Sequence, residues 1–261
     1  MKRLSVVIIA RNEEQALPRC LDSVSWADEV VVVDSHSTDR TCEIARQRGA
    51  MVCVIDWRGF GPAKQAGVER ASGDWILSID ADEEVSDALA DDIRHVLENS
   101  GGYDGFNIPR RTNFLGRWIY HGGWYPDYVL RLFRREKGKF DDAVVHEKVL
   151  LDGPQGRLKG ELLHYSFPSL EHYFVKFNRY TSLGAEEAFR VGRAASWADI
   201  ILRPPVSFLK HYVLHGGFLD GIEGFLVASL SATAVMVKYA KLMQLRRTAR
   251  TTRESNDAKH A

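Results

Sequence analysis

The run Leu4 to Ala10 (LSVVIIA) is apolar and β-branched along nearly its whole length. This pattern suits a strand buried on both faces of a parallel sheet. Polar residues follow at once, Arg11-Asn12-Glu13-Glu14. Asn12 can cap a helix there, and the two acids suit that helix's positive end. Leu17, Leu21 and Val24 then fall on one face. The alternation repeats. Glu29 to Val33 reads as a second strand ending at Asp34, with Ser37 or Thr38 capping a helix that ends near Gly49. Met51 to Ile55 reads as a third strand, Gly61 to Ala71 as a helix with Gly73 as its C-cap, and Trp75 to Ile79 as a fourth strand. Four alternations in about eighty residues predict a parallel α/β sheet with right-handed crossovers. Polar residues gather directly after the strands, at Arg11-Asn12-Glu13, Asp34-Ser35 and Asp80-Ala81-Asp82. Open α/β sheets bind ligands outside the carboxyl ends of their strands, so the three clusters predict one nucleotide-sized site.

The pattern then changes. Ser86 to Asn99 is a further amphipathic helix, after which residues 103–165 turn rich in aromatics, glycine and arginine. Short alternating stretches there, Tyr128 to Phe133 and Ala143 to Leu151, predict antiparallel strands and long functional loops. From Ser169 the spacing is helical, with Leu170, Tyr173, Phe174 and Phe177 recurring, and Pro204-Pro205 is a break. Two domains are expected, 1–165 and a helical extension, 166–261. From Phe225 to Val237 the chain is apolar or small, whereas a spanning helix needs about twenty such residues. Asp220 and Glu223 precede this run and Lys238 and Lys241 follow it, so it is not expected to cross a membrane. Together with Arg246, Arg247, Arg250 and Arg253, those lysines suit a helix lying in an anionic leaflet. A helix packed on the domain with a solvated basic tail is the alternative. There is no internal repeat and no low-complexity segment.

Composition narrows the class. Of 261 residues, 45% are hydrophobic and 27% charged, which excludes a collagenous, disordered or polytopic membrane chain. The 35 bases and 35 acids cancel, but unevenly. Residues 1–105 hold 20 acids and 11 bases, a balance of −9, and the remainder hold 15 and 24, a balance of +9. This partition suggests a cation in front and an anionic surface or substrate behind; no nucleic-acid partner is expected. Cys20, Cys42 and Cys53 fit no metal spacing and read as small core residues. The apolar run after Lys2 and Arg3 is too short for a signal-peptide core, and a cytosolic protein is expected.

The sharpest chemical feature is Asp80-Ala81-Asp82-Glu83. Two carboxylates one residue apart, just after a buried strand, can converge on a hard divalent cation, and that cation can bridge phosphates. The same pair also recurs on plain exposed loops. Asp34 precedes its helix cap and is open to a base or ribose. Lys64 can reach a phosphate or lie on a solvated helix face. No G-x-G-x-x-G follows the first strand and no P-loop is present, which disfavours a dinucleotide dehydrogenase and a P-loop NTPase.

LSVVIIARNEE, VVVDSHSTDRT and ASGDWILSIDADEE, in this order and spacing, resemble the inverting family 2 glycosyltransferases of GT-A fold over roughly residues 1–150. The resemblance implies an α/β, GT-A-type, mostly parallel Rossmann-like sheet with a UDP-sugar donor. It places Ala10, Asn12 and Glu13 around the nucleotide and Asp34 on the base. Asp80 would lie near the ribose or metal, with Asp82 on Mg²⁺ or Mn²⁺. Many relatives carry two Asp after the second strand, where this chain has Asp34-Ser35.

Inverting transfer needs a base for the acceptor hydroxyl. The family's late Glu-Asp pair is missing. Glu147 is the expected base and Asp127 the second choice, with His146 or His164 as a metal or diphosphate ligand. Arg131, Arg134 and Arg135 have the guanidinium forks that suit phosphate. Trp124, with Trp118, Tyr120 and Tyr125, can stack on sugar or serve as core. The segment FNIPRRTNFLGRWIYHGGWYPDYVLRLFRR, with VHE and LLHYSF, is similar to a narrower subgroup, the lipopolysaccharide core β-1,4-glucosyltransferases. That likeness implies glucose transfer from UDP-glucose to an inner-core heptose, on the cytoplasmic face of the inner membrane. Alternatives are transfer to a polyprenyl phosphate or another cell-envelope glycan, a sugar nucleotidyltransferase, or a non-catalytic sugar-nucleotide binding module.

Overall fold

The computed structural model describes residues 2–142 and 147–260, with side chains through Thr251. The first stretch alternates as the pattern predicts: β1 (Leu4–Ala10), α1 (Leu17–Ser23), β2 (Glu29–Asp34), α2 (Thr41–Gln47), β3 (Met51–Val54), α3 (Phe60–Arg70) and β4 (Trp75–Asp80). Next come β5 (Glu83–Val85), α4 (Asp87–Glu98), β6 (Gly105–Phe114), β7 (Arg117–Trp118), β8 (Asp127–Arg134), β9 (Gly138–Phe140) and β10 (Val149–Leu151). β11 (Gln155–Arg157) and β12 (Leu162–Phe167) lead to the helices α5 (Leu170–Arg190), α6 (Trp197–Ile201), α7 (Arg203–Leu209) and α8 (Gly221–His260). By contacts the chain divides into two compact units, 1–112 with 126–165, and 113–125 with 166–261. The excursion 113–125, grouped with the first domain on sequence, lies in the second unit.

In the first unit the strand order is β3-β2-β1-β4-β8-β6-β12-β5. The first four strands are parallel, and β8 and β6 join antiparallel. This is the expected α/β class, a mostly parallel sheet extended by antiparallel strands. β1 is buried along its whole length because helices cover both faces. Val6 and Ile8 point into a core built with Leu17, Leu21, Leu89 and Ile93. Val7 and Ile9 point the other way, toward Val68 and Ala63 of α3. Gly67 allows that approach, since a Cβ there would lie 2.3 Å from Val7 Cγ1.

Three local expectations are corrected. Asn12 caps no helix: its φ is +56°, and α1 begins at Leu17 without a side-chain cap. Ser37 and Thr38 do not cap α2, which starts at Thr41 after Arg40. Gly73 is no C-cap, because α3 ends at Arg70 with Ala71 as its cap; Gly73 N donates instead to Ser5 Oγ at 2.8 Å. The physical reason is shared for the first two. The loops after β1 and β2 bond to each other, so their side chains are taken before either helix begins. The three cysteines are free, Cys20 and Cys53 buried and Cys42 half-buried.

The second unit is built on α5 and α8. Ala185 and Ala188 pack with Tyr239 and Leu242, and Tyr173 and Val227 pack with Phe114 and Ile119. Pro204 and Pro205 open α7, where a missing N–H leaves no bond unmade. Among the described residues one stretch, Gly217–Thr251, is long and apolar enough by length and composition to cross a membrane. Within it Val227, Ala228 and Ala232 are buried inside the unit.

Candidate active site

The parallel register sets Ala10 beside Asp34 and Ile9 beside Asp80. All three strand ends therefore open on one edge. β2 and β3 lie to one side of β1 and β4 to the other, so this edge is the switch point where open α/β sheets bind ligands. The loops above it are stitched together. Asn12 N donates to Ser37 Oγ at 2.8 Å, Asn12 Oδ1 accepts from Thr38 N at 2.8 Å, and Glu13 N donates to Thr41 Oγ1 at 2.8 Å. Asp34 is buried and accepts from both Ser37 N, at 2.9 Å, and the Ser37 hydroxyl. From sequence, Asp34 is expected to be open to ligand. Two of its acceptor positions are filled by Ser37, and the Cys42 thiol also turns to it.

β4 ends in a tight turn. Glu83, wholly buried, reaches back so that its Oε2 accepts from Asp80 N at 2.9 Å. The turn holds Asp80 and Asp82 over the sheet edge. Around it lies a dense ionic network. Lys64 is 1% exposed, and its Nζ lies 2.9 Å from Asp80 Oδ1 and 2.6 Å from Glu147 Oε1. Arg131 Nη2 lies 2.9 Å from Asp80 Oδ2 and 3.7 Å from Glu83 Oε1. Arg110 bridges Glu83 at 3.4 Å and Asp127 at 2.6 Å. His164 Nε2 sits 3.3 Å from Asp82 Oδ2. Burial alone would raise the Asp80 pKa. The Lys64 ammonium and Arg131 guanidinium outweigh it and hold this carboxyl well below the usual carboxylate range.

The formal balance is informative. The network counts five carboxylates (Asp80, Asp82, Glu83, Asp127 and Glu147) against three permanent cations (Lys64, Arg110 and Arg131). Buried charge is normally compensated. Asp127 is part-exposed and Asp82 is met by His164, so no carboxylate stands alone, but an oxygen-rich, acidic donor set of this kind suits a divalent cation. Asp82 and His164 offer a carboxylate oxygen and an imidazole nitrogen side by side. Both oxygens of Asp80 already face cations. Among the described residues no group of three or more His, Cys, Asp or Glu is placed to hold a metal. Two protein ligands completed by substrate phosphates is the usual way proteins hold Mg²⁺.

The geometry thus brings together Ala10, Asn12, Glu13, Asp34, Lys64, Asp80, Asp82, Asp127, Arg131 and Glu147. Lys64 is no solvated helix residue; it is the cation at the centre. Arg131 is turned to carboxylates rather than presented to a phosphate. Arg134 and Arg135 are corrected more strongly. β8 runs antiparallel to β4, so Arg134 pairs with Trp75, at the opposite end of the strand from Asp80. There Arg134 bonds Asp104 at 2.9 Å and Arg135 Nε donates to Gly73 O at 2.9 Å. Trp124 packs in the second unit, edge-on to Phe114 and tilted on Phe167, as core rather than as an open sugar platform. His146 lies outside the described residues. Sequence reasoning assigned no role to Glu83 or Arg110. Glu83 was legible as the residue after the acidic pair, whereas Arg110 becomes visible only through its register opposite Asp127.

Residues 5–151 match the family model described as glycosyl transferase family 2. Over 253 residues the chain is 32% identical to the lipopolysaccharide core biosynthesis glycosyltransferase LpsC of Rhizobium meliloti, spanning 92% of each protein. Two solved structures are also similar. S. aureus TarS 1–349 in complex with UDP-GlcNAc has a TM-score of 0.49 and 16% identity, with 95% of this chain and 92% of that chain covered. The Mycobacterium tuberculosis glucosyl-3-phosphoglycerate synthase complex with Mn²⁺, UDP and glucosyl-3-phosphoglycerate has a TM-score of 0.48 and 21% identity, covering 75% and 82%.

Proposed function

Because the chain belongs to glycosyl transferase family 2 and is a nucleotide-sugar-dependent glycosyltransferase, we propose that it moves glucose from UDP-glucose, with inversion, onto an inner-core heptose of lipopolysaccharide. The observation that carries the reading is the acidic turn Asp80–Glu83 at the switch-point edge, which gathers three carboxylates over the strand ends. The relative LpsC supports the lipopolysaccharide core as the acceptor class. In this reading residues 1–165 bind donor and acceptor at the cytoplasmic face of the inner membrane, and 166–261 make the membrane contact.

The nucleoside lies along the ends of β1 and β2, against Ala10, Asn12 and Glu13, and its base or ribose donates to Asp34. Asp82, with Asp80 and His164 beside it, would hold Mg²⁺ or Mn²⁺. When bound, that ion neutralises charge on the departing diphosphate. Lys64, buried between them, orients Asp80 and Glu147 on one ammonium. The acceptor oxygen attacks the anomeric carbon on the face opposite the diphosphate, the bond to UDP breaks, and the hydroxyl proton passes to Glu147. Asp127 is the second candidate for that proton, held by Arg110.

A panel of UDP-sugars against truncated-core acceptors tests the reading, with UDP release measured and the product linkage read by NMR. Release from UDP-glucose only with a heptose-containing acceptor is expected. Turnover with a polyprenyl phosphate alone would replace the core reading by a lipid-phosphate glycosyltransferase.

A further inference from the structure

Ten large apolar residues between Trp197 and Ile222 are each more than half exposed. Leu202, Val206 and Leu209 follow one another at helical spacing along the start and body of α7, so they share one face. The chain continues through a π-helical turn, Lys210–Leu214, and a short 3-10 turn, Gly217–Asp220, into α8. Leu214, Leu219 and Ile222 extend the exposed apolar surface across this reversal, with Leu214 79% exposed. Soluble chains rarely leave so many large hydrophobic side chains together in water.

The reversal is held by polar bonds within the second unit. Buried Asp220 accepts from Tyr120 N at 3.1 Å and His121 N at 2.7 Å, and lies 3.0 Å from His121 Nδ1. His211 Nδ1 sits 2.6 Å from Gly122 O, and Gly122 N donates to His215 O at 2.9 Å. Gly224 lets α8 start against this turn, since a Cβ there would lie 1.8 Å from Gly217 O. The apolar side chains are therefore presented by a fixed scaffold rather than by a loose loop.

Charge selects what covers them. Both acids of the stretch and Glu223, just beyond it, are engaged: Asp199 with Arg203 at 2.5 Å, Asp220 in the buried bonds above, and Glu223 with Arg117 at 3.6 Å. Lys210 stays exposed beside them. An apolar face edged by a base, with its acids compensated, is complementary to an anionic lipid surface. Trp197, at the border of the patch and 68% exposed, suits the interfacial layer where indole rings collect. α8 itself uses Val227, Tyr239 and Leu242 for packing inside the unit, and its Ala228 is wholly buried, so the contact is assigned to the turn that precedes it.

We propose that the α7-to-α8 turn, carrying Val206, Leu209, Leu214, Leu219 and Ile222, is a preformed docking surface that seats the protein in the interfacial layer of an anionic bilayer. The proposal rests on the reading of a lipid-linked acceptor for its biological setting. Its test uses neither donor nor acceptor, so the two can fail separately.

The full chain is floated with vesicles of 7:3 POPC:POPG and with POPC alone, and its mass is measured by size exclusion with light scattering. Co-flotation is expected, stronger with the anionic lipid. Leu214→Glu/Leu219→Glu is expected to lower the bound fraction at least tenfold, Leu214→Ser by less. Met51→Glu, a similar change on exposed β3, is expected to float as wild type. Melting curves are expected to be unchanged, because the altered side chains face solvent. Flotation of the double variant equal to wild type would overturn the proposal, as would wild type that ignores both vesicles. A wild-type dimer that the double variant splits, without vesicle binding, would assign the face to a second copy instead.

Discussion

The strand-end edge of the first unit and the α7-to-α8 turn of the second solve opposite problems. At the edge, charges are buried and each is answered. Lys64, Arg131 and Arg110 are shared among carboxylates that outnumber them, and Asp82 is met by His164. At the turn, the few acids are tied down and the apolar side chains are left in water. Burial of charge costs free energy unless it is paired, and so does exposure of large apolar surface. Each region carries the unfavourable term that a ligand of the matching kind would relieve: a cation with diphosphate at the edge, lipid at the turn. The chemistry is thus divided between the regions, and variants at the edge test the division.

The largest effect is expected from Asp82→Ala. Loss of that carboxylate forfeits several kcal/mol of charge stabilisation as the diphosphate leaves, so kcat/KM for transfer should fall on the order of 10³-fold. The thermal transition should hardly move, because Asp82 is only part-buried. An Asp82→Ala enzyme that kept its turnover would sink the claim that the acidic turn serves a metal. Next comes Glu147→Gln. If Glu147 takes the acceptor proton, kcat should drop by about 10²-fold with donor affinity kept, read by titrating UDP-glucose against the variant. A larger loss in Asp127→Asn would move the role to Asp127.

Lys64→Met tests stability rather than turnover. It leaves Asp80 and Glu147 without their shared partner, and breaking a buried ion pair costs roughly 3–5 kcal/mol. Urea unfolding at neutral pH should show a loss of that size. Its pH dependence has a definite sign. Asp80 is held below its ordinary pKa in the folded chain, so its contribution is complete above the unfolded carboxylate value of roughly 4 and fades as pH falls below it. The gap between wild type and Lys64→Met should therefore narrow in acid. A gap that widened there would mean that Lys64 does not stabilise the ionised form of Asp80.

How much of this was legible in the sequence follows from range. The strands β1 to β4 are written in local apolar runs, the acidic pair is contiguous, and the helices that begin at Ser86 and Ser169 are closed by cap bonds within three residues. The Asn12 bonds were not, since its partners lie 25 and 26 residues away and took it from its own helix. Lys64 looked like any helical lysine because its partners are Asp80 and Glu147, and the second is 83 residues distant. The α7-to-α8 turn drew no expectation, for a different reason. Hydropathy marked Phe225 to Val237 as the apolar segment, but hydropathy cannot tell a residue packed on α5 from one left in water. Burial shows Val227 and Ala228 inside and Leu214 and Leu219 outside.

The smallest expected effect separates the two ends of β8. Arg131 and Arg134 are three residues apart in one basic run, and from sequence alone all of Arg131, Arg134 and Arg135 suit a phosphate. Register divides them. Leu132 lies opposite Leu77 and Arg134 opposite Trp75, so Arg131 reaches Asp80 while Arg134 faces Asp104 and the Trp75 ring. At roughly 3.3 Å per residue, the five steps from Trp75 to Asp80 put the two strand ends about 16 Å apart. That is too far for a guanidinium at one end to touch a diphosphate at the other. Arg134→Ala and Arg135→Ala should therefore leave kcat/KM within about twofold of wild type. Their cost should appear only as the loss of about 1 kcal/mol or less expected of part-exposed ion pairs and hydrogen bonds. A tenfold fall in kcat/KM for either variant, at unchanged stability, would mean that the basic run acts on substrate as a whole and that the edge extends beyond the network around Asp80.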